Sequence, residues 1–240
     1  KASPKFEIYF YKKIIEEDMD LLIQSDYNVT IEVFLKFLED AIIISRSNSQ
    51  NSKPNDFSYI WRQYISDSQF QSRNLLDILI DKLIYVCIQV LSKKPEEFEA
   101  VIEKLIQKEW HVFLRIAFHL AWKFNKVDII EKILINKNYF EEICVWNDYT
   151  ILLKNHFESL QLPNQELILK WIEDGPDKVK YEKYQKHNGQ EIDEEEFQKY
   201  SDNWKHQKIA VFHEKLPDKW KNFYLLLAEK YGIMEHHEFH

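Results

Sequence analysis

The chain has 240 residues and a formal net charge of −8, and 45% of its residues are hydrophobic, 15% aromatic and 30% charged. This composition excludes a disordered chain and a membrane bundle, and the negative charge argues against attraction of the whole protein to nucleic acid or anionic membranes. Only three residues are glycine. Because phosphate-binding loops and dinucleotide turns need clustered glycines, the sequence excludes a nucleotide site of that kind.

Helical periodicity runs along almost the whole chain. Pro95 and Pro217 stand where first helical turns accept proline, and Gly175 and Gly232 stand where helices are expected to end. Asn164 is a predicted N-cap, and Asp193 with Glu196 three residues later forms a capping-box variant. The predicted helices cover 6–25, 31–45, 58–67, 74–92, 95–107, 110–124, 128–135, 149–160, 164–174 and 217–231, and a further helix begins after the Asp193 cap. Residues 46–57 form a polar loop.

These patterns predict an all-α protein. Pairs of helices recur about every 35–45 residues, the size of helical repeat units. We therefore expect an irregular α-solenoid of antiparallel helix pairs, similar to TPR or HEAT arrays, with a compact multi-helix domain as the alternative. Residues 1–177 would form the repeat region, residues 178–200 a charged excursion, and residues 201–240 the C-terminal helices that close the same array.

The two cysteines, Cys87 and Cys144, lie far apart within apolar stretches. This placement is typical of reduced, buried thiols in a cytoplasmic protein rather than of a disulfide framework. No apolar run approaches the roughly 18 residues that indicate a membrane-spanning helix, so we expect no membrane partner.

One helix carries the strongest candidate for chemistry. His111, Arg115 and His119 recur at i, i+4 and i+8 and so share a helix face. A metal-dependent or catalytic site would need a carboxylate or third ligand nearby in space, and the sequence supplies none in register. We therefore expect a polar seam in a packed helix, with Arg115 paired to an acid on a neighbouring helix, and keep a helical metal-dependent enzyme as an alternative.

Two charged segments allow other interpretations. Residues 178–187 (KVKYEKYQKH) interleave lysines with tyrosines, the pattern of a nucleic-acid contact, but acidic residues at 191–196 would neutralise it. A solvated helix or hairpin of mixed charge is the expected structure, and nucleic-acid binding stays an alternative. The C-terminal segment Glu235–His240 could bind metals adventitiously, although we predict no metal site and no cofactor.

Two stretches have familiar patterns of packing residues. In residues 109–124, Trp110, Phe113, Arg115 and Ile116 form a Trp-x-x-Phe-x-Arg-Ile core, and residues 148–177 end in an Ile-Glu-Asp-Gly-Pro turn. With Trp204 and the helix start at Leu216–Pro217, they resemble the C-terminal helical repeats of bacterial STAND NTPases of the antiviral Avs type. That resemblance implies a sensor that recognises a foreign protein, such as a phage protein. It implies that any ATPase or nuclease activity would lie in other parts of a longer protein.

We therefore predict a non-catalytic helical scaffold for protein recognition. The expected partner is a protein, including other domains of the same polypeptide, rather than nucleic acid. Aromatic anchors and charged rims usually dominate such surfaces. The predicted partner-binding residues are Lys180, Tyr181, Lys183, Tyr184 and Trp204.

Overall fold

A computed structural model describes residues 13, 15–45, 58, 65, 75–189 and 193–232. This part of the chain is all-α, as predicted, and contains no β-strand. Within the described ranges, short 3₁₀ turns at residues 95–97, 143–145, 157–159 and 213–215 join helices. The described helices are α1 (Met19–Ser25), α2 (Tyr27–Ser45), α3 (Leu75–Lys93), α4 (Phe98–Ile106), α5 (His111–Lys123), α6 (Val127–Leu134), α7 (Lys137–Glu141), α8 (Trp146–His156), α9 (Leu162–Asp174), α10 (Lys178–His187), α11 (Glu194–Ala210) and α12 (Asp218–Tyr231).

Local sequence signals set several helix ends. Gly175 and Gly232 follow the last residues of α9 and α12 with φ angles of 79° and 88°, which L-residues rarely adopt. Pro217 immediately precedes α12. The Asp193 carboxylate caps α11 by accepting a 3.0 Å hydrogen bond from the Glu195 N–H. These helix ends are confirmed.

The predicted N-cap at Asn164 is wrong. Helix α9 begins two residues earlier, at Leu162, with Pro163 in its first turn, and the residue before it, Gln161, occupies the cap position. The Asn164 side chain instead donates a 2.6 Å hydrogen bond to Glu131. A proline that is pre-organised for a first turn, with its fixed φ, therefore sets this boundary ahead of the side-chain cap.

The chain divides into two compact multi-helix units, which interleave in sequence. The first unit contains residues 1–127 and 142–148. In it α2 packs against α3, and α4 packs against α5. Its core is aliphatic and aromatic, because the inward positions of these helices carry branched apolar and phenylalanine side chains. Fully buried members include Leu38, Leu83, Val86, Phe113 and Ile116.

The second unit contains residues 128–141 and 149–240. Phe140, which is fully buried, contacts the rings of Tyr149, Trp171 and Trp204 at centroid distances of 6.1, 5.4 and 5.9 Å. The Tyr149 hydroxyl donates a 2.7 Å hydrogen bond to the Leu134 carbonyl. An aromatic cluster therefore fills this core, as expected for a chain rich in aromatic residues.

The predicted segment 178–200 lies within the second unit. It contains all of α10 and the first part of α11, so residue 200 falls inside a helix. The polar loop predicted at 46–57 lies outside the described residues. Of the helix predicted at 58–67, the structure describes only Ser58 and Ile65.

No helix in the described ranges is both long and apolar enough to cross a lipid bilayer. Neither cysteine forms a disulfide. Cys87 is fully buried, and burial raises the pKa of its thiol to about 12. Cys144 is only half-buried, so the prediction that both thiols are buried is wrong for Cys144. Cys144 lies in the short 3₁₀ turn at 143–145, whereas Cys87 lies among the buried residues of α3.

Candidate functional site

Arg115 in α5 is paired with an acid, as predicted. Its Nε donates a 2.5 Å hydrogen bond to Asp148 Oδ2, and the two side chains are only 2% and 4% exposed. Asp148 also accepts a 3.3 Å hydrogen bond from the Ile65 N–H. Burial raises the pKa of Asp148, while Arg115 opposes that shift by attracting the carboxylate. The pair ties α5 to the first turn of α8 inside the first unit.

The other two residues of the predicted polar seam do not join Arg115 in one site. Burial, with a smaller contribution from Lys123, lowers the pKa of His119 to about 4, so this imidazole is neutral at pH 7. Its ring lies 5.9 Å from that of Trp122. Eight residues of α-helix place His111 and His119 about 12 Å apart along the axis. The three residues share a face but do not converge on one ligand.

His111 has neighbours that sequence spacing did not reveal. Its Nε2 lies 3.7 Å from Glu142 Oε2, and Cys144 Sγ completes a group whose ligand atoms all lie within 4.8 Å of one another. All three residues are half-buried. The Glu-x-Cys pair at 142–144 was the available signal, but only folding brings it to the first residue of α5.

Residues 178–187 form a helix, one of the two predicted structures, and none of its residues is buried. The Asp177 carboxylate caps it by accepting hydrogen bonds of 2.9 and 3.1 Å from the N–H groups of Val179 and Lys180. Ring contacts hold it to α11: Tyr181 lies 5.2 Å from Phe197 and stacks on Tyr200 at 4.9 Å. Helix α10 is therefore attached through a few side chains rather than through a buried face.

A cleft opens beside α10 within the second unit. Its volume is about 550 Å³, and four of the five predicted partner-binding residues line it. We name it the tyrosine cleft. Its lining residues are Glu141, Pro176, Asp177, Lys180, Tyr181, Tyr184, Gln185, Tyr200 and Trp204.

The aromatic residues of the tyrosine cleft remain accessible. Tyr184 is 66% exposed and Tyr200 is 43% exposed. Trp204 is half-buried, with its ring edge-to-face against Phe140 at 5.9 Å. Large apolar surface that water still covers releases free energy when a partner buries it. The cleft therefore offers both a fixed aromatic floor and an exposed aromatic rim.

Most charges around the tyrosine cleft are already paired. Lys180 Nζ lies 3.3 Å from Glu141 Oε2, and Lys178 forms an ion pair with Glu194. Gln185 Nε2 donates a 2.8 Å hydrogen bond to the Tyr181 hydroxyl. The buried Gln185 Oε1 has no hydrogen-bond partner in the described part of the chain. The lysines nearest the cleft are thus largely neutralised by acids of the same unit.

A buried lysine lies beneath Trp204. Lys208 Nζ donates a 2.6 Å hydrogen bond to the Phe140 carbonyl and lies 5.4 Å from the centroid of the Trp204 ring. Burial lowers the pKa of Lys208 to about 7, against the attraction of Glu141. The Lys208 side chain thus contacts Trp204, which lines the cleft.

Lys183 is the one predicted residue that does not line the cleft, and it is exposed. Sequence reasoning missed Tyr200, Gln185 and Glu141. A signal for Tyr200 existed, because Phe197, Tyr200 and Trp204 recur at i, i+3 and i+7 and so share one face of α11. Glu141 comes from another segment of the chain and had no such signal. The segment Glu235–His240 lies outside the described residues.

Comparison with known proteins adds no assignment. No protein-family model, curated protein or solved structure matches the chain.

Proposed function

We propose that the protein is a non-catalytic recognition scaffold that binds a peptide segment of a protein partner in the tyrosine cleft. The observation that carries this proposal is the convergence of Tyr181, Tyr184 and Trp204 on one cleft with an exposed rim. Tyrosine and tryptophan dominate the binding free energy of many protein interfaces, because they bury a large area at a small cost in side-chain entropy.

The pairing of charges favours a protein over nucleic acid. Phosphate contacts require lysines that exchange counterions for phosphates, whereas Lys178 and Lys180 already bind Glu194 and Glu141. An extended peptide fits the remaining chemistry better. Its apolar side chains can cover the exposed rings of Tyr184 and Tyr200.

The resemblance to STAND NTPases extends the proposal to biology. On that basis the chain is the sensor part of a larger cytoplasmic defence protein, and its partner is a foreign protein such as a phage protein. The full reading frame of the gene tests this extension. A P-loop domain encoded upstream of these residues would support it. A start codon directly before the Lys1 codon would contradict it.

Selection from a displayed random peptide library tests binding at the cleft. The wild-type chain is expected to enrich peptides whose affinity falls by about 30-fold or more in Tyr184→Ala and Tyr200→Ala, the cost of losing a typical hot-spot side chain. Fluorescence anisotropy with a labelled selected peptide measures the affinities.

Two variants serve as matched controls for the selected peptides. Trp122→Ala removes an aromatic side chain that is 41% exposed in the first unit, and Lys183→Ala removes the predicted residue outside the cleft. Both should bind the peptide within about twofold of wild type, as expected for positions outside an interface hot spot. Selected peptides that bind equally well to Tyr184→Ala, or an oligonucleotide that binds with steep salt dependence while no peptide is enriched, would overturn the proposal.

A further inference from the structure

We infer that His111, Glu142 and Cys144 form a binding site for a zinc ion in the first unit, independent of the tyrosine cleft. The three side chains offer one imidazole nitrogen, one carboxylate oxygen and one thiol sulfur within 4.8 Å of one another. These are the three kinds of protein ligand that Zn²⁺ accepts. Three protein ligands leave a fourth tetrahedral position, which water would fill.

The spacing of the ligand atoms fits a tetrahedral ion after small side-chain rotations. Bond lengths of about 2.0–2.3 Å to zinc place neighbouring ligand atoms about 3.3–3.8 Å apart. His111 Nε2 and Glu142 Oε2 are already 3.7 Å apart. No pair in the group is wider than 4.8 Å, so rotation of the side chains needs to close the widest gap by about 1 Å at most.

The carboxylate of Glu142 is already oriented for this role. Its Oε1 accepts a 3.2 Å hydrogen bond from the Cys144 N–H, and this contact caps the 3₁₀ turn at 143–145. The other oxygen, Oε2, is the one that faces His111. Hydrogen bonds to a ligating carboxylate fix its direction and raise metal affinity. One oxygen of Glu142 therefore holds the turn while the second is directed at the site.

The backbone that carries the ligands is held by the buried ion pair. Arg115 lies four residues after His111, and Asp148 lies four residues after Cys144. The 2.5 Å contact between Arg115 and Asp148 thus ties the two segments together about one helical turn from the ligands. A site supported in this way needs little reorganisation to accept an ion.

Partial exposure gives an ion access to the site. The His111 side chain is 26% exposed and that of Glu142 is 38% exposed. A simple ion pair would account for the contact between His111 and Glu142. It would not account for the Cys144 thiol, a third zinc ligand, lying beside them. The combination of thiol, imidazole and carboxylate is what favours zinc over magnesium or calcium, which prefer oxygen ligands alone.

Cobalt titration of the full chain, purified reduced and without an affinity tag, tests the site. Co²⁺ is the probe because a thiolate bound to it produces a charge-transfer band in the near ultraviolet. The starting protein carries His236→Ala, His237→Ala and His240→Ala, which removes the histidines of the C-terminal segment. We expect one equivalent of Co²⁺ to generate the band and one equivalent of Zn²⁺ to abolish it.

Substitutions identify the ligands. Cys144→Ser should eliminate the band, whereas Cys87→Ala, which removes the other thiol, should leave it unchanged. Residues that only hydrogen-bond to a metal ligand contribute roughly 10- to 100-fold to metal affinity. Loss of a ligand itself should cost at least as much, so we expect His111→Gln and Glu142→Gln each to weaken Co²⁺ binding by at least about tenfold. Glu142→Gln keeps an oxygen that can accept from the Cys144 N–H, so it tests the metal contact separately from the cap.

Circular dichroism and thermal unfolding show that each variant is folded, and Zn²⁺ should raise the melting temperature of the starting protein but not of Cys144→Ser. The absence of a charge-transfer band in the starting protein would overturn the inference. So would a band that survives Cys144→Ser, or an unchanged Co²⁺ affinity in both His111→Gln and Glu142→Gln.

Discussion

Eight of the thirteen residues of α5 are buried, whereas none of the ten residues of α10 is. Both helices are rich in aromatic and basic residues, yet they use them differently. In α5 Phe113 and Phe118 are buried in a core, and Arg115 is neutralised there by Asp148. In α10 the tyrosines remain accessible beside a cleft, and Lys178 and Lys180 pair with acids at the surface.

The contrast separates stability from recognition. A side chain that is buried with its partner contributes to the free energy of unfolding, and its loss leaves a cavity or an unpaired charge. A side chain that is exposed contributes little to folding and has its apolar surface available for a partner. Substitutions in α5 should therefore change stability first, and substitutions in α10 should change binding first.

The largest expected effect is that of Arg115→Ala in α5. This substitution leaves Asp148 buried without its cation, and we expect the free energy of unfolding to fall by about 3–5 kcal/mol. Urea denaturation followed by circular dichroism measures the change. The control is the double variant Arg115→Met with Asp148→Asn, which removes both charges and should recover much of the loss. A loss below about 1 kcal/mol in Arg115→Ala would mean that the pair does not hold the first unit together.

Two glycines near the ends of α10 should respond unequally to alanine. A Cβ on Gly175 would lie 3.1 Å from Ser201 Oγ and 3.1 Å from Lys205 Cε, and φ is 79°. A Cβ on Gly189, with φ of 70°, would meet no atom within 4 Å. We expect Gly175→Ala to cost about 2–3 kcal/mol, because backbone strain and crowding combine, and Gly189→Ala to cost about 1 kcal/mol.

Thermal and urea unfolding of the two glycine variants measure this difference. The expected order indicates that the backbone before α10 is fixed against α11 and that the backbone after it is not. Equal costs would contradict that asymmetry between the two ends of α10.

The smallest effect on stability is expected at Tyr184. Because this side chain is 66% exposed, Tyr184→Ala should change the free energy of unfolding by no more than about 0.5 kcal/mol. Differential scanning calorimetry of the variant beside wild type measures the change. A loss above about 1.5 kcal/mol would place Tyr184 in the core and remove the contrast with α5.

The sequence predicted most helices because their signals are local. Apolar spacing located α3 and α5 to within one or two residues, since helical hydrogen bonds connect residues only four apart. The five-residue helix α7 and the 3₁₀ turn at 143–145 were not predicted, because segments this short are too short to show helical periodicity. The start of α9 was placed too late because two local signals, Pro163 and the capping side chain of Asn164, compete at neighbouring positions.

The candidate site was predicted in part. Tyr181, Tyr184 and Lys180 lie within one turn of the same helix, so their proximity follows from the sequence. The contribution of Glu141 to the cleft could not be inferred, because it comes from another segment, whereas Tyr200 shares a helix face with the predicted Trp204 and was overlooked. Lys183 was included with its neighbours although it lies on α10 away from the cleft lining.

The sequence by itself determined the all-α class, the helix ends at Gly175 and Gly232, and the helix cap at Asp193. Each of these depends on dihedral preferences or on hydrogen bonds between residues a few positions apart. Only the tertiary structure decided which acid pairs with Arg115 and which residues surround His111. These partners lie about 30 residues away along the chain, where no local pattern connects them, and packing alone brings their side chains together.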